Sequence, residues 1–360
     1  MDTVAERILQ RLHTFLPGVS QAELARRVDM DPSALSRVIN GKRGLAGSEV
    51  AAIAAQLQVS TDWLLLGEEP FPIAIAARHD YAGGAYSSVL DDDSMSLVSG
   101  IALAYEQAGE LPEQETAIQV PTDPAEVRRM LESSFGADWP RHFAEAVERT
   151  FAIDVVKAEL PGHAGLSLKL PNATVIVVPT QVFWGRQNWT IAHELWHVAN
   201  GHFSALHEGA AADGEASANN FAKELLLPEK LIFEVDWAAI SEAELADFLW
   251  RSGASLQALS NRLAALRLPA LRYDGAPLGL FRRHVKADHL DQDPVTSRLR
   301  DAAARRFPTR LLVQHEVSGQ HPRTLAWMLG APLEAGDDPG ELPEPANADD
   351  LAALFGLSAT

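Results

Sequence analysis

The stretch Asn188–His202, NWTIAHELWHVANGH, decides how this chain is read. His193 and His197 stand four residues apart, so on a helix both imidazoles leave the same face and can hold one ion. Glu194 is rotated from His193 by about 100° and lies beside that ion, not on it. A Zn²⁺ bound by few protein ligands keeps a position for water and lowers its pKa towards neutrality, and a neighbouring glutamate can carry the released proton. The competing reading is a buried helix whose histidines only fill space. A chance HExxH arises on the order of once per hundred chains of this length, so the context has to decide.

That context is a second helix, GEASANNFAKELLLP, Gly214–Pro228. Glu215 begins it and is the expected third ligand. Ala216, Ala218 and Ala222 are small enough for close packing on the first helix, and Asn219, one turn after Glu215, is placed to orient the carboxylate or a histidine. His202 and His207 are rival ligands, whereas Glu224 and Glu229 read as solvated residues of a helix end. The preceding TVIVV (Thr174–Val178) reads as an edge strand, suited to pairing with an extended peptide. Tyr273, His163 and Arg186 are candidate donors to a developing oxyanion, with no feature to choose among them.

HELWH followed by ExxANxFAxxLLLP resembles the ImmA/IrrE family of metallopeptidases, over roughly Ala125–Leu268, with SLQALSNRLAALRL (Ser255–Leu268) as its terminal helical unit. The resemblance implies a gluzincin-type peptidase fold with Glu215 in the ligand position, and hydrolysis of a repressor under stress such as DNA damage. A metzincin reading fails: that class needs Gly three and His six residues beyond the second ligand, where this chain has Asn200 and Phe203.

Ahead of this domain, SQAELARRVDMDPSALSRVINGKR (Ser20–Arg43) reads as two helices, the first capped by Ser20 and the second opened by Asp31-Pro32 and closed by Gly41. Ser48 and Ser60 are expected to cap two more. Leu24, Val28, Leu35, Val38 and Ile39 point inward, and Ser33, Ser36 and Arg37 outward on the second helix, which suits the major groove. The segment is similar to the Xre/Cro class of helix-turn-helix domains, over nearly all of residues 4–68. That resemblance implies phosphate contacts from Gln21, Asn40, Lys42 and Arg43 and base reading by Ser33 and Arg37. Between Arg26 and Arg43 the net charge is +3, in a chain of −19 overall. DNA binding is therefore expected to be local, because coating nucleic acid needs surplus basic residues. The alternative for this bundle is a protein–protein module.

The 360 residues contain no cysteine, so histidine, carboxylate or water must hold any metal. The longest apolar runs are far too short to span a bilayer, and a soluble cytoplasmic protein is expected. The fold class predicted is α+β and mainly helical. The segments are 1–68 for helix-turn-helix, 69–124 for a linker with one helix (Met95–Ala108), 125–228 for a peptidase domain with a small sheet, 229–270 for a helical appendage and 271–360 for a region of no legible role. Zn²⁺, or alternatively Mn²⁺, is the expected cofactor; an operator DNA, a repressor-like protein substrate and a second copy of the chain are the expected partners. Cleavage of the chain's own 68–124 segment is a variant. The rival function is a transcriptional or antitoxin-like regulator whose metal site is not catalytic.

Overall fold

The structure, a computed structural model, describes residues 3–16, 18–57, 59–67, 73–79, 92–111, 119–160, 163–180, 182–205, 214–286 and 293–331. Much of the Gly- and Asp-containing run Glu68–Ser94 and all of the acidic, Pro-rich run Glu334–Asp350 lie outside these residues.

The N-terminal bundle consists of α1 (Val4–Phe15), α2 (Gln21–Arg27), α3 (Pro32–Ile39), α4 (Gly47–Leu57) and α5 (Thr61–Leu66). Local chemistry sets its ends. The side chains of Ser20 and Ser60 accept from the backbone N–H of Glu23 and Trp63, and Asp31 accepts from those of Ser33 and Ala34, satisfying donors that no helical turn can reach. Ser48 does not cap: it lies inside α4, which begins at Gly47. Ile8, Leu24, Leu35, Ile53, Leu57 and Leu64 close the bundle's own core.

Next come β1 (Ala74–His79), α6 (Asp92–Ala108), α7 (Pro124–Phe135), α8 (Phe143–Phe151), β2 (Ile153–Ala158), β3 (His163–Lys169) and β4 (Thr174–Pro179). They are followed by α9 (Trp184–Ala199), β5 (Ser204–Ala205), α10 (Glu215–Leu226), α11 (Glu229–Phe233), α12 (Glu242–Ser252) and α13 (Leu256–Ala265). The last elements described are α14 (Pro277–His284), α15 (Pro294–Ala303), α16 (Thr309–Ser318) and α17 (Pro322–Leu329). The fold is α+β, as the sequence predicts.

One sheet runs in the order β2-β4-β3-β1-β5, with β2 and β4 parallel and the other pairs antiparallel. Alternate residues serve opposite layers. Val155 and Ile176, paired across β2 and β4, face a core built on α8, α9 and α10, while the adjacent pair Val156 and Val177 faces a second core with Ile101 and Tyr105 of α6, Leu311 of α16 and Met328 of α17.

Two expectations change here. Thr174–Val178 is an interior strand, paired by β2 on one side and β3 on the other, so a peptide cannot add to it. Its unbroken apolar run reflects burial on both faces, which an edge strand with one wet face does not require. The segment read as a linker supplies β1 to the sheet and α6 to the second core, and the region of no legible role supplies α16 and α17 to that same core. Asp154, fully buried on β2, accepts Nε and Nη2 of Arg310 at 3.0 and 2.7 Å and the hydroxyl of Tyr105 at 2.7 Å, tying both segments to the sheet.

Candidate metal centre

His193 and His197 come from the last two turns of α9, and both are buried. The Nε2 atoms lie 3.2 Å apart, and the two oxygens of Glu215, at the start of α10, lie 3.3 Å from one each. A tetrahedral ion with bonds of roughly 2.0–2.1 Å places its donors about 3.3 Å apart, so this triangle has the size Zn²⁺ requires. Among the described residues these three form the metal-sized cluster. Burial alone raises the Glu215 carboxyl, but hydrogen bonds to the two histidines, together with their charge, outweigh it and hold the group far below the usual carboxylate range.

Asn219 Oδ1 lies 3.3 Å from His193 Nδ1 and also accepts from the Trp189 indole at 3.4 Å, a contact that orients the ring. Ala218 and Ala222 are fully buried where α10 meets α9, but Ala216 is exposed and takes no part in that packing. Gly214 sits at φ +96°, and a Cβ there would stand 2.4 Å from the Trp196 ring, so only glycine lets the chain turn over Trp196 and bring Glu215 to the histidines.

Glu194 is fully buried beside this triangle. Its Oε2 accepts from Ser167 of β3 at 2.8 Å, and its Oε1 has no protein partner. Burial raises its pKa; the charges of His193 and His197 and the Ser167 hydrogen bond oppose that shift. Gly165, two residues before Ser167 on the same face, allows the approach: a Cβ there would meet Thr190 Cγ2 at 2.3 Å. Neither Gly165 nor Ser167 was singled out from sequence. The available signal was two small residues at alternate positions of a strand otherwise rich in leucine.

The second surface of interest is α2–α3 and the turn that follows. Gln21, Ser33, Ser36, Arg37, Asn40, Lys42 and Arg43 are all exposed. Several are already engaged. Ser33 Oγ bonds the Asp31 carboxylate, Asn40 Nδ2 donates to the Ser36 carbonyl at 2.7 Å, and Arg43 pairs with Glu49 at 2.8 Å. Arg43 is thus partly neutralised within the bundle.

Residues 16–64 match the family model described as helix-turn-helix, and residues 148–264 match the peptidase family model described as IrrE N-terminal-like domain. The chain joins a helix-turn-helix domain to an IrrE N-terminal-like domain. No curated protein and no solved structure matches it. Helix α9, with His193 and His197, and helix α10, with Glu215, both fall inside the IrrE-like match.

Within the IrrE-like domain the rival ligands separate. His202 meets Trp196 edge to face and lies tilted to His197, with ring centroids 4.8 and 5.6 Å away, and is not part of the cluster. His207 lies outside the described residues. Glu224 is not simply solvated: it pairs at 2.8 Å with buried Arg262, which also donates to the Leu227 carbonyl and so fastens α13 to the end of α10. Glu229 is exposed and 3.8 Å from the same guanidinium. Of the oxyanion candidates, the Tyr273 hydroxyl donates to the Ala276 carbonyl at 2.8 Å and Arg186 is exposed on the first turn of α9; the His163 side chain is outside the description. Among the described residues no helix is long and apolar enough to cross a membrane.

Proposed function

We propose that this protein is a DNA-binding, zinc-dependent endopeptidase of the cytoplasm, with Mn²⁺ as the alternative ion, that cleaves a regulatory protein of the repressor kind in a stress or DNA-damage response. The observation that carries the reading is the convergence of His193, His197 and Glu215 on one point, with the unpartnered Oε1 of Glu194 beside it. These residues would hold the ion, which supplies Lewis acidity and a lowered water pKa when bound.

The chain's own residues do the rest. Glu194 accepts at Oε1 the proton of the water that attacks the scissile carbonyl carbon, and returns it to the amine nitrogen as the C–N bond breaks. A carboxyl raised by burial is suited to both transfers, since its proton affinity sits nearer neutrality. Ser167 holds the other oxygen, so the carboxylate cannot rotate away. Asn219 holds the His193 ring. The exposed face of α3, led by Arg37, serves operator DNA and brings the peptidase to the promoter on which its substrate acts.

The test is Glu194→Gln against wild type, with metal content, operator binding and cleavage of co-expressed neighbouring repressors measured together under the stress signal. Metal and DNA binding should persist, while cleavage falls by about 10²–10⁴-fold, the usual effect of removing a general base. A wild type that cleaves neither itself nor any such repressor, with promoter control intact in Glu194→Gln, would support a regulator with a non-catalytic site instead.

A further inference from the structure

The helix that carries His193 and His197 has a second polar environment on its other side. Trp184, Gln187, Asn188 and Ile191 form one stripe of α9, and at about 100° per residue the two histidines leave from the opposite face. The stripe forms a wall of a cavity of ≈ 660 Å³, closed across from it by residues of α15 and the segment leading to α16. This is the volume range of small-molecule sites.

The cavity is lined by Arg141, Lys157, Arg298, Arg305 and Arg306 against Glu145 and Asp301, a net +3 in a chain of −19. Arg306 is spoken for by Glu148, at 2.6 Å. Arg298 is not. It is only 9% exposed, lies against the rings of Trp184 and Trp250 at 4.7 and 4.8 Å, and donates to the carbonyls of Trp250 and Pro140. Its Nε has no partner, and no carboxylate pairs with it among the described residues. Arg305 shares part of this pattern: its guanidinium lies 4.5 Å from the Trp327 ring and its buried Nε and Nη2 are unpartnered, although Glu159 answers part of its charge. Burial pulls the Arg298 pKa down to about 9, and Arg141 adds repulsion, so the cation is held there against its own desolvation.

A buried cation with free donors is costly unless something anionic completes it. We propose that this cavity is a binding site for a small organic phosphate, whose phosphoryl oxygens take the free donors of Arg298 and Arg305 and whose body lies along Trp184, Ile191 and Phe143. Phosphate suits the site better than a lone carboxylate, since a dianion matches the surplus charge and planar guanidinium forks bind phosphate through paired hydrogen bonds. The aromatic and aliphatic remainder of the wall calls for an organic body rather than a bare ion. Such a ligand would press on α9 from behind the metal ligands without touching them, a position for control of the centre. This site stands on its own residues and does not depend on the peptidase reading.

The experiment is calorimetric titration of the full-length protein with adenosine 5′-monophosphate, ribose 5-phosphate, phenyl phosphate, inorganic phosphate and adenosine. At least one organic phosphate should bind about 10-fold or more tightly than inorganic phosphate and than unphosphorylated adenosine. Arg298→Gln should weaken it by about 10-fold or more. Because that variant removes a buried group, Arg305→Gln and Arg141→Gln are measured beside it, with far-UV circular dichroism and zinc content as checks on the fold, and each should also lose affinity. The proposal is overturned if no organic phosphate binds better than inorganic phosphate, or if correctly folded Arg305→Gln and Arg141→Gln both bind as wild type does.

Discussion

Ser167 Oγ donates a 2.8 Å hydrogen bond to Glu194 Oε2, joining the third strand of the sheet to the acid that follows His193 on α9. The bond leaves one carboxylate oxygen fixed and the other free, the arrangement that the proposed general-base role of Glu194 would require. Removing it should therefore affect chemistry more than metal binding. Ser167→Ala is expected to retain full zinc stoichiometry and to lose about tenfold in cleavage rate, the lower end of effects seen when such supporting contacts are removed. Parallel metal analysis and single-turnover cleavage check this; a variant as fast as wild type would show that Glu194 is oriented by something else.

Metal affinity should follow the order of contact with the ion. His193→Ala and His197→Ala are expected to abolish tight zinc binding, because two remaining donors cannot close a site. Asn219→Ala, which frees the His193 ring without removing a ligand, should weaken it by about 10–100-fold. Competition with a chromogenic chelator orders the three variants. Undiminished zinc in the His193→Ala/His197→Ala double variant would remove the assignment.

On DNA, the pairing of Arg43 with Glu49 separates residues that looked equivalent in sequence. Lys42→Ala should weaken binding to all sequences and lower the salt slope by about 0.9, the value for one phosphate contact. Arg43→Ala should do less, since its charge is already partly answered. Arg37→Ala should relax base preference instead. Gel shifts across a salt series on the gene's upstream region distinguish these outcomes, and equal losses for Lys42 and Arg43 would contradict the ion pair's influence.

Burial, with the Asp154 carboxylate beside it, holds the Tyr105 phenol well above its ordinary value. The unfolded chain then releases this proton at lower pH than the folded chain, so the associated stability is complete below about pH 10 and is lost as pH rises beyond it. Tyr105→Phe should lower unfolding free energy by about 1 kcal/mol at neutral pH for the lost hydrogen bond, yet decline less steeply above about pH 10. Asp154→Ala, which strands Arg310 beside an empty place, should cost about 3–5 kcal/mol. Urea titrations at a series of pH values measure both effects, and identical alkaline slopes for wild type and Tyr105→Phe would rule out the linkage.

Features that depend on neighbours within a turn or two are legible in the order of residues alone. HELWH places two imidazoles on one face and the acid beside them through helical period alone, and Ser20, Asp31 and Ser60 announce helix starts because capping is a contact across two or three residues. Glu215 was reachable because its helix carries a recognisable pattern of its own, and the helix-turn-helix bundle because its core is made within sixty-odd consecutive residues. Long-range packing instead sets the partners of β4, the place of β1 and α6 in the sheet and second core, the clasp of α16 on β2 through Asp154 and Arg310, and the meeting of Ser167 with Glu194. Asp154 and Arg310 lie 156 residues apart and Ser167 and Glu194 lie 27 apart. A short apolar strand such as TVIVV carries no mark of which strand will sit beside it, since pairing is selected by burial on both faces of the completed sheet rather than by any local preference of the chain.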